Sequence, residues 1–398
     1  MRRPTRTALS AIVSMLALVG LALSAGPASA TPGAYPVQHA EKRVCKVPGA
    51  GKAGCEAHVV TDATTGKPAT TTGYAAGYTP AQLTSAYGPF GTGMPTVAVV
   101  DAYANPNAAA DLATYRHQFG LGAANLTQVD QTGGSISTVA GDVGWGQEQS
   151  LDLQMVSALC PGCNILYVGA KSASFSDLAA AVTTAKNLGA TVISNSYGGS
   201  EFSGETNWTN WNIPGVAVTV AAGDNGYGVE FPAASAGVIA VGGTSLKLTS
   251  AGARSSETAW SGTGSGCSAY VSKPTWQKDT GCSHRTVTDA AAVADPNTGV
   301  AVYDSYGSTG GANWYVFGGT SVATPIVGAI YARDGVPATG YAAASLYSNA
   351  SSLYDVTSGS NGFCTSQHET AAAYLCTART GYDGPTGNGA PKGLTLPF

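Results

Sequence analysis

Four residues in three segments have types and spacings that could do chemistry. Ser321 lies in Gly318-Gly319-Thr320-Ser321-Val322-Ala323-Thr324-Pro325, where two glycines precede it and a helical pattern follows. A hydroxyl at a helix N-terminus sits in a positive field among free N–H groups, which suits a nucleophile facing a developing oxyanion. The same segment also fits a serine that caps a helix. A serine nucleophile needs a base, and the five histidines (His39, His58, His117, His284 and His368) offer none in a His-Gly-Thr setting. No serine has glycines at both −2 and +2, so the elbow of lipase-type hydrolases is missing. Carboxylates can replace the histidine. Glu148 and Asp152 in Trp145-Gly146-Gln147-Glu148-Gln149-Ser150-Leu151-Asp152 are four apart, on one helical face. Packed together away from water, one of them is driven to keep a proton, which makes a usable general base; a solvated acidic face is the blander reading. Asp224, in Ala221-Ala222-Gly223-Asp224-Asn225-Gly226 after an apolar run, reads as a turn residue or, if protonated, as a hydrogen-bond donor to an oxyanion.

The elements that must hold these residues follow from hydrophobic periodicity. Residues 96–101 read as a buried strand, with further short apolar runs at 165–169, 190–194, 216–221 and 238–242. Helical patterns fall at about 108–118, 145–159 and 174–188, and a last helix is expected to start near Ser321. Strands alternating with helices predict an α/β fold, a doubly wound, mostly parallel sheet flanked by helices. From Thr31 to about Gly77 the chain is polar, rich in Pro and Gly, and shows no sustained periodicity.

Composition narrows the class. The chain has 398 residues, 44% of them hydrophobic and only 11% charged, against roughly 25% charged in ordinary soluble domains. The apolar content excludes intrinsic disorder, and with 19 Lys+Arg against 23 Asp+Glu there is no basic surplus for nucleic acid. Arg2, Arg3 and Arg6, the apolar run 11–23 and Ala28-Ser29-Ala30 make residues 1–30 a signal peptide, too short in its apolar part for a membrane span. The mature chain is then expected to be acidic, secreted and free of the membrane. The order of the eight cysteines suggests four local disulfides: Cys45–Cys55, Cys160–Cys163, Cys267–Cys282 and Cys364–Cys376. Cys160-Pro-Gly-Cys163 also matches a redox or metal motif, but it follows a helical pattern instead of opening one. Asn125 and Asn207 stand in glycosylation sequons.

The Glu148/Asp152 pair, Ala222-Gly223-Asp224 and Gly319-Thr320-Ser321-Val322-Ala323-Thr324-Pro325, in that order, resemble the sedolisin family of serine-carboxyl peptidases from about Tyr78 to the C-terminus. The resemblance implies a subtilisin-like fold and hydrolysis of polypeptide substrates; the chain is expected to act at acidic pH, where Glu148 can lose a proton while Asp224 keeps one, and to be a monomer. Ser321 would be the nucleophile, Glu148 the general base and acid, Asp152 its orienting partner and Asp224 the oxyanion donor. Asp101, at the end of the first predicted strand, is then structural or auxiliary. Ser194, Ser196, Tyr197 and Gly198 resemble the family's substrate-binding segment, where a peptide would add as a strand. The resemblance also implies one Ca²⁺, held by Asp355 and Asp383 side chains and the carbonyls of Val356, Arg379 and Gly381. The family usually has Gly where Arg379 stands. Many members carry a long pro-region, whereas residues 31–77 suit only a short extension or residual pro-segment before a peptidase domain at 78–398. The alternative class is a secreted, non-catalytic binding protein on the same scaffold. Low charge fits a chain held by apolar burial and disulfides in acid, where ion pairs weaken.

Overall fold

The computed structural model describes Met1 and residues 39–69, 73–74, 76–307, 312–362, 364 and 373–393. Apart from Met1, the expected signal segment lies outside the described residues, as does His368. On the N-terminal side come β1 (His39–Arg43), β2 (Gly54–Cys55) and β3 (His58–Asp62), then α1 (Pro80–Tyr87). An alternating run follows: β4 (Thr96–Ala102), α2 (Ala108–Gln118), β5 (Asn125–Asp130), α3 (Val143–Leu159), β6 (Asn164–Ala170), α4 (Phe175–Asn187) and β7 (Val192–Asn195). Next are β8 (Tyr197–Ser200), β9 (Ala217–Ala221), β10 (Glu230–Phe231), β11 (Ile239–Leu248), β12 (Arg254–Ala259), β13 (Gly266–Ser272), β14 (His284–Val287) and β15 (Ala290–Val293). Finally β16 (Val300–Asp304) and β17 (Asn313–Gly318) lead into α5 (Thr320–Asp334) and α6 (Ala342–Ser348).

The central sheet runs β12-β11-β9-β7-β4-β6-β5, with β15 added beside β11. Every pairing in it is parallel except β11 with β12, as the alternating pattern predicts. Period-2 alternation splits the strand residues between two cores. Val97, Val99, Ile165, Tyr167 and Val192 join the α2, α3 and α5 side. Ala98, Val100, Leu166, Val168 and Ile193 join the side covered by Phe175, Leu178 and Val182 of α4. All four expected disulfides are formed.

Helix α3 is buried from Trp145 to Leu159 although it carries five Gln/Ser residues besides its two acids. Those amides and hydroxyls are used. Gln149 Nε2 donates to the Ala102 carbonyl at 2.9 Å, Ser150 Oγ to Asp304 Oδ1 at 3.0 Å and Gln154 Nε2 to the Tyr303 carbonyl at 2.6 Å. These bonds fix the helix against β4 and β16, and Asp142 caps its start by accepting from the Trp145 N–H at 3.0 Å.

The structure departs from the sequence reading in two places. Helix α5 is not the last, since α6 follows it. And the segment without periodicity forms strands: β1 pairs with β3, β3 pairs with β17, and β2 pairs with β8. Two residues of β2 cannot show a period; the pairing partners and the Cys45–Cys55 bridge define that strand.

Candidate active site

The C-terminal ends of the parallel strands gather the acids, as open α/β sheets generally do with their sites. Asp101 is the penultimate residue of β4, Asp224 follows β9, and Glu148 and Asp152 project from α3, which packs on α5. Ser321 is the second residue of α5 and Gly319 is its N-cap, so the serine does not serve as the cap. Pro325 inside the helix has no N–H to give the Ser321 carbonyl; the Ser196 hydroxyl donates to that carbonyl instead, at 3.5 Å. Glu148, Asp152 and Ser321 are 0% exposed and Asp224 7%.

Burial sets the electrostatics. Glu148 is pushed well above the usual carboxylate range, first by desolvation, then by Asp152, Asp101 and Asp224; the Ser321 hydroxyl favours its ionised form. Desolvation raises Asp152 to about 8, against the Ser196 hydroxyl and Glu148, which favour ionisation. Asp101 is raised by desolvation and by Asp152. No carboxyl oxygen of Asp101, Glu148 or Asp152 has a hydrogen-bond partner among the described residues. Such a row of acids cannot all be ionised together, so protons are held in it. Ser321 Oγ donates to the Ser196 carbonyl at 3.2 Å.

Asp224 is held from one side only. Its Oδ1 accepts from the Thr320 N–H at 2.7 Å and from Thr320 Oγ1 at 2.8 Å. Oδ2 has no hydrogen-bond partner, although His58 Nε2 lies 3.5 Å away. Desolvation brings Asp224 to about 7 against the two Thr320 bonds, which favour the carboxylate. Gly319 has φ +103°, and a Cβ there would strike both Asp224 Oδ2 and the Glu56 carbonyl oxygen. Glycine is needed at that position on both counts.

Of the expected substrate segment, the structure brings Ser196, Tyr197 and Gly198 to one edge. Ser194 is set back inside the central sheet, where β4 and β9 flank it. Tyr197 is anchored by donating its hydroxyl to Asn195 Oδ1 at 2.8 Å.

Asp355 and Asp383 come together on two loops. The Gly381 N–H donates to Asp355 Oδ2 at 3.0 Å and the Arg379 N–H to Asp383 Oδ2 at 2.9 Å. Desolvation, with the neighbouring Asp355, pushes Asp383 up to about 7. Two facing acids are too few to count as a cluster of three ligating side chains, and none occurs among the described residues.

Sequence reasoning missed a group beside Ser321. The Glu56 carboxylate pairs with Arg43 at 2.8 Å, and Arg43 also donates to Asn225 Oδ1 at 3.1 Å. Desolvation, then Glu230 and Asp224, raise Glu56 well above its usual range. His58 is lowered to about 4 by burial and by Arg43, and its ring meets Trp260 edge-on. The only signal for this segment in the sequence was Val59-Val60-Thr61, a β-branched run close to Cys55.

Known proteins resemble this chain in sequence and in fold. The family model described as "Subtilase family" matches residues 137–334, which include α3, β9 and α5. Sedolisin from Pseudomonas sp. (strain 101) is 33% identical over 330 residues, 70% of this chain and 53% of that protein. Kumamolisin from Bacillus sp. (strain MN-32) is 32% identical over 329 residues, 72% of this chain and 56% of that one. The chain thus spans about half the length of the curated relatives it matches. Among solved structures, Pseudomonas sedolisin, a serine-carboxyl proteinase complexed with two molecules of pseudo-iodotyrostatin, superimposes with a TM-score of 0.66 and 30% identity. That match covers 80% of this chain and 96% of that one.

Proposed function

The chain belongs to the sedolisin family of serine-carboxyl peptidases, and from that premise we propose that it is a secreted endopeptidase acting on polypeptides at acidic pH. The observation that carries this reading is the burial of Ser321, at the start of α5, among the carboxyls of Glu148, Asp152 and Asp224. In this reading Glu148 takes the Ser321 proton as the hydroxyl attacks a peptide carbonyl, and later gives it to the leaving nitrogen. Asp152 orients Glu148 and, with Asp101 behind it, keeps a proton in the acid row. The Ser321 N–H and the protonated Asp224 Oδ2 steady the oxyanion. Glu148 must give up its proton while Asp224 keeps its own, and only an acidic window allows both. A pH profile on a peptide library should show its activity on the acid side of about 7, where Asp224 keeps its proton, and vanish in Ser321→Ala. Full activity at pH 8 with little at pH 4 would sink the mechanism. A binding protein would need none of these acids; absence of cleavage at every pH would favour that role. For export, residues 1–30 serve as the signal, and no helix among the described residues is long and apolar enough to cross a membrane.

The facing acids Asp355 and Asp383 fit a calcium ion, whose charge would offset their repulsion. The carbonyls of Val356, Arg379 and Gly381 would complete the oxygen shell, and the ion would tie the two loops together. Thermal melts test this together with the buried acids. Glu205 and Asp152 are raised to about 8, and Asp304 and Asp224 to about 7. A carboxyl raised on folding binds more protons folded than unfolded, so its stabilisation is full below the unfolded value and is lost as pH rises through 7–8. His58, lowered to about 4, opposes this by losing stability as pH falls. Melting temperature should fall by about 5–10 °C between pH 5 and 8, the size a few kcal/mol gives in a large domain. Calcium should raise it, and Asp383→Asn should abolish the calcium increment alone. A melting temperature that climbs toward pH 8, or that ignores calcium, refutes the corresponding half.

A further inference from the structure

Helix α3 is gripped from behind by buried acids that take no part in the reaction above. Ser150 and Gln154 stand roughly 160° around the helix from Glu148 and Asp152, at about 100° per residue. Whatever holds the first pair therefore sets where the second pair points. Gln154 exchanges two bonds with Tyr303, donating to its carbonyl at 2.6 Å and accepting from its N–H at 2.9 Å. One residue further along β16, Asp304 Oδ1 accepts from Ser150 Oγ at 3.0 Å. Asn105 Nδ2 donates to that same Ser150 oxygen and to the Gly146 carbonyl, each at 3.0 Å. A Cβ on Gly146 would strike the Tyr306 ring. The end of β16 and the turn after it thus cover one line of the helix, at 146, 150 and 154.

The second acid is Asp111, in the first turn of α2. It accepts from the Ser305 N–H at 3.0 Å and from Ser305 Oγ at 2.6 Å, and Ser305 directly follows Asp304. Asp304 is 0% exposed and Asp111 1%. Among the described residues no Lys, Arg or His pairs with either acid. The groups that face them are neutral: Ser150 from α3, Asn105 and Asn107 from the loop before α2, Asn313 from β17 and Tyr306 from the turn. Asp304 Oδ2 has no hydrogen-bond partner among the described residues. Desolvation, then Asp111, raise Asp304 to about 7 against the Ser150 hydroxyl and the nearby Tyr306 N–H, which favour the carboxylate. Desolvation raises Asp111 too, against its Ser305 bonds. Two neighbouring carboxyls in so dry a place, with no counter-ion, resist ionising together.

We propose that Asp304 is a positioning residue for Glu148 and Asp152, and that with Asp111 it forms a clasp on α3 that closes while the pair holds a proton. The catalytic consequence rests on the peptidase reading above; the clasp itself is a property of the fold. A carboxyl whose proton affinity rises on folding stabilises fully below its unfolded value, and that support is lost as pH rises through about 7. Once both acids are ionised, their repulsion drives the turn at 304–305 away from α2. The Ser150 bond goes with it, and the first half of α3 loses its backing. Gln149 and Gln154 keep their own bonds to β4 and β16, so the helix loosens without leaving the sheet. The effect on turnover is therefore a step, distinct from the outright loss of a donor when Asp224 ionises.

Hydrogen–deuterium exchange of the full Ser321→Ala chain reads the clasp without calling on catalysis. Corrected for the intrinsic rate, protection of residues 146–150 should be constant in acid and fall about tenfold per pH unit above about 7. Asp304→Asn keeps an acceptor for Ser150 and cannot ionise, so its protection should stay level to about pH 8. Asp111→Asn should level it as well, from the other side of the pair. Asp304→Ala removes the acceptor and should expose the segment at every pH. In the active chain Asp304→Ala should lower kcat about tenfold at acid pH with KM little changed, as a displaced base does, and Asp304→Asn should restore it. Protection that ignores pH in the parent, or Asn variants that open as the parent does, would overturn the proposal and spare the peptidase reading. A parent that shows the transition yet hydrolyses no peptide at any pH would overturn the peptidase reading and the positioning role together, and the intact transition tells that failure from the first.

Discussion

Glu148→Gln should lower kcat/KM for peptide hydrolysis at acid pH by about four orders of magnitude, the loss seen when one member of a catalytic triad is removed. Glutamine keeps the shape and can accept a hydrogen bond from Ser321, but it cannot take the proton. Because the helix is fixed by Gln149, Ser150 and Gln154 and not by Glu148, the fold should survive. At pH 8 the variant should melt no lower than the parent, since a buried acid with a raised proton affinity has been neutralised. Asp152→Asn should cost less, as Glu148 would remain to take the proton. A Glu148→Gln protein with parental activity would remove this residue from the mechanism; one that has lost its near-ultraviolet circular dichroism would show a structural role instead.

What could be read beforehand divides along a physical line. The strand at Thr96–Ala102, the helix bearing Glu148 and Asp152, and the serine after Gly319 are each specified by contiguous residues: a β-branched run, a shared helical face, a glycine cap. They were legible because local pattern and final environment agree. The burial of Asp101 beside Asp152 was not, since it depends on how far β4 runs under α3. Nor was Glu230, which faces the cleft only because glycines at 198 and 223 leave room for it. The N-terminal segment was the largest omission. Its strand β2 has two residues, and its position is decided by an edge offered more than 140 positions later. Low charge was legible as a number but not as a mechanism. Among the described residues, buried acids such as Asp101, Glu148, Asp152 and Asp304 lack a basic partner across an ion pair, which is tolerable where they keep their protons.

Asp224 gives the second large effect, and one whose sign can be checked twice. Asp224→Ala should reduce kcat by about 10²–10³-fold, the usual loss for one oxyanion donor. Asp224→Asn should behave differently with pH. In the parent the donor exists only while the carboxyl is protonated, so activity should fall as pH rises through about 7. Asparagine donates from Nδ2 at any pH, and its Oδ1 can still accept both Thr320 bonds that hold the aspartate in place. The alkaline limb of the kcat/KM profile should therefore move upward in Asp224→Asn, while the acid limb, set by ionisation of the Glu148 row, stays where it was. Substrate affinity should change little, because the bond is made to charge that develops only in the transition state. If the alkaline limb of Asp224→Asn coincides with the parent's, another group sets it. If Asp224→Ala loses less than about twofold, the oxyanion is stabilised without this residue.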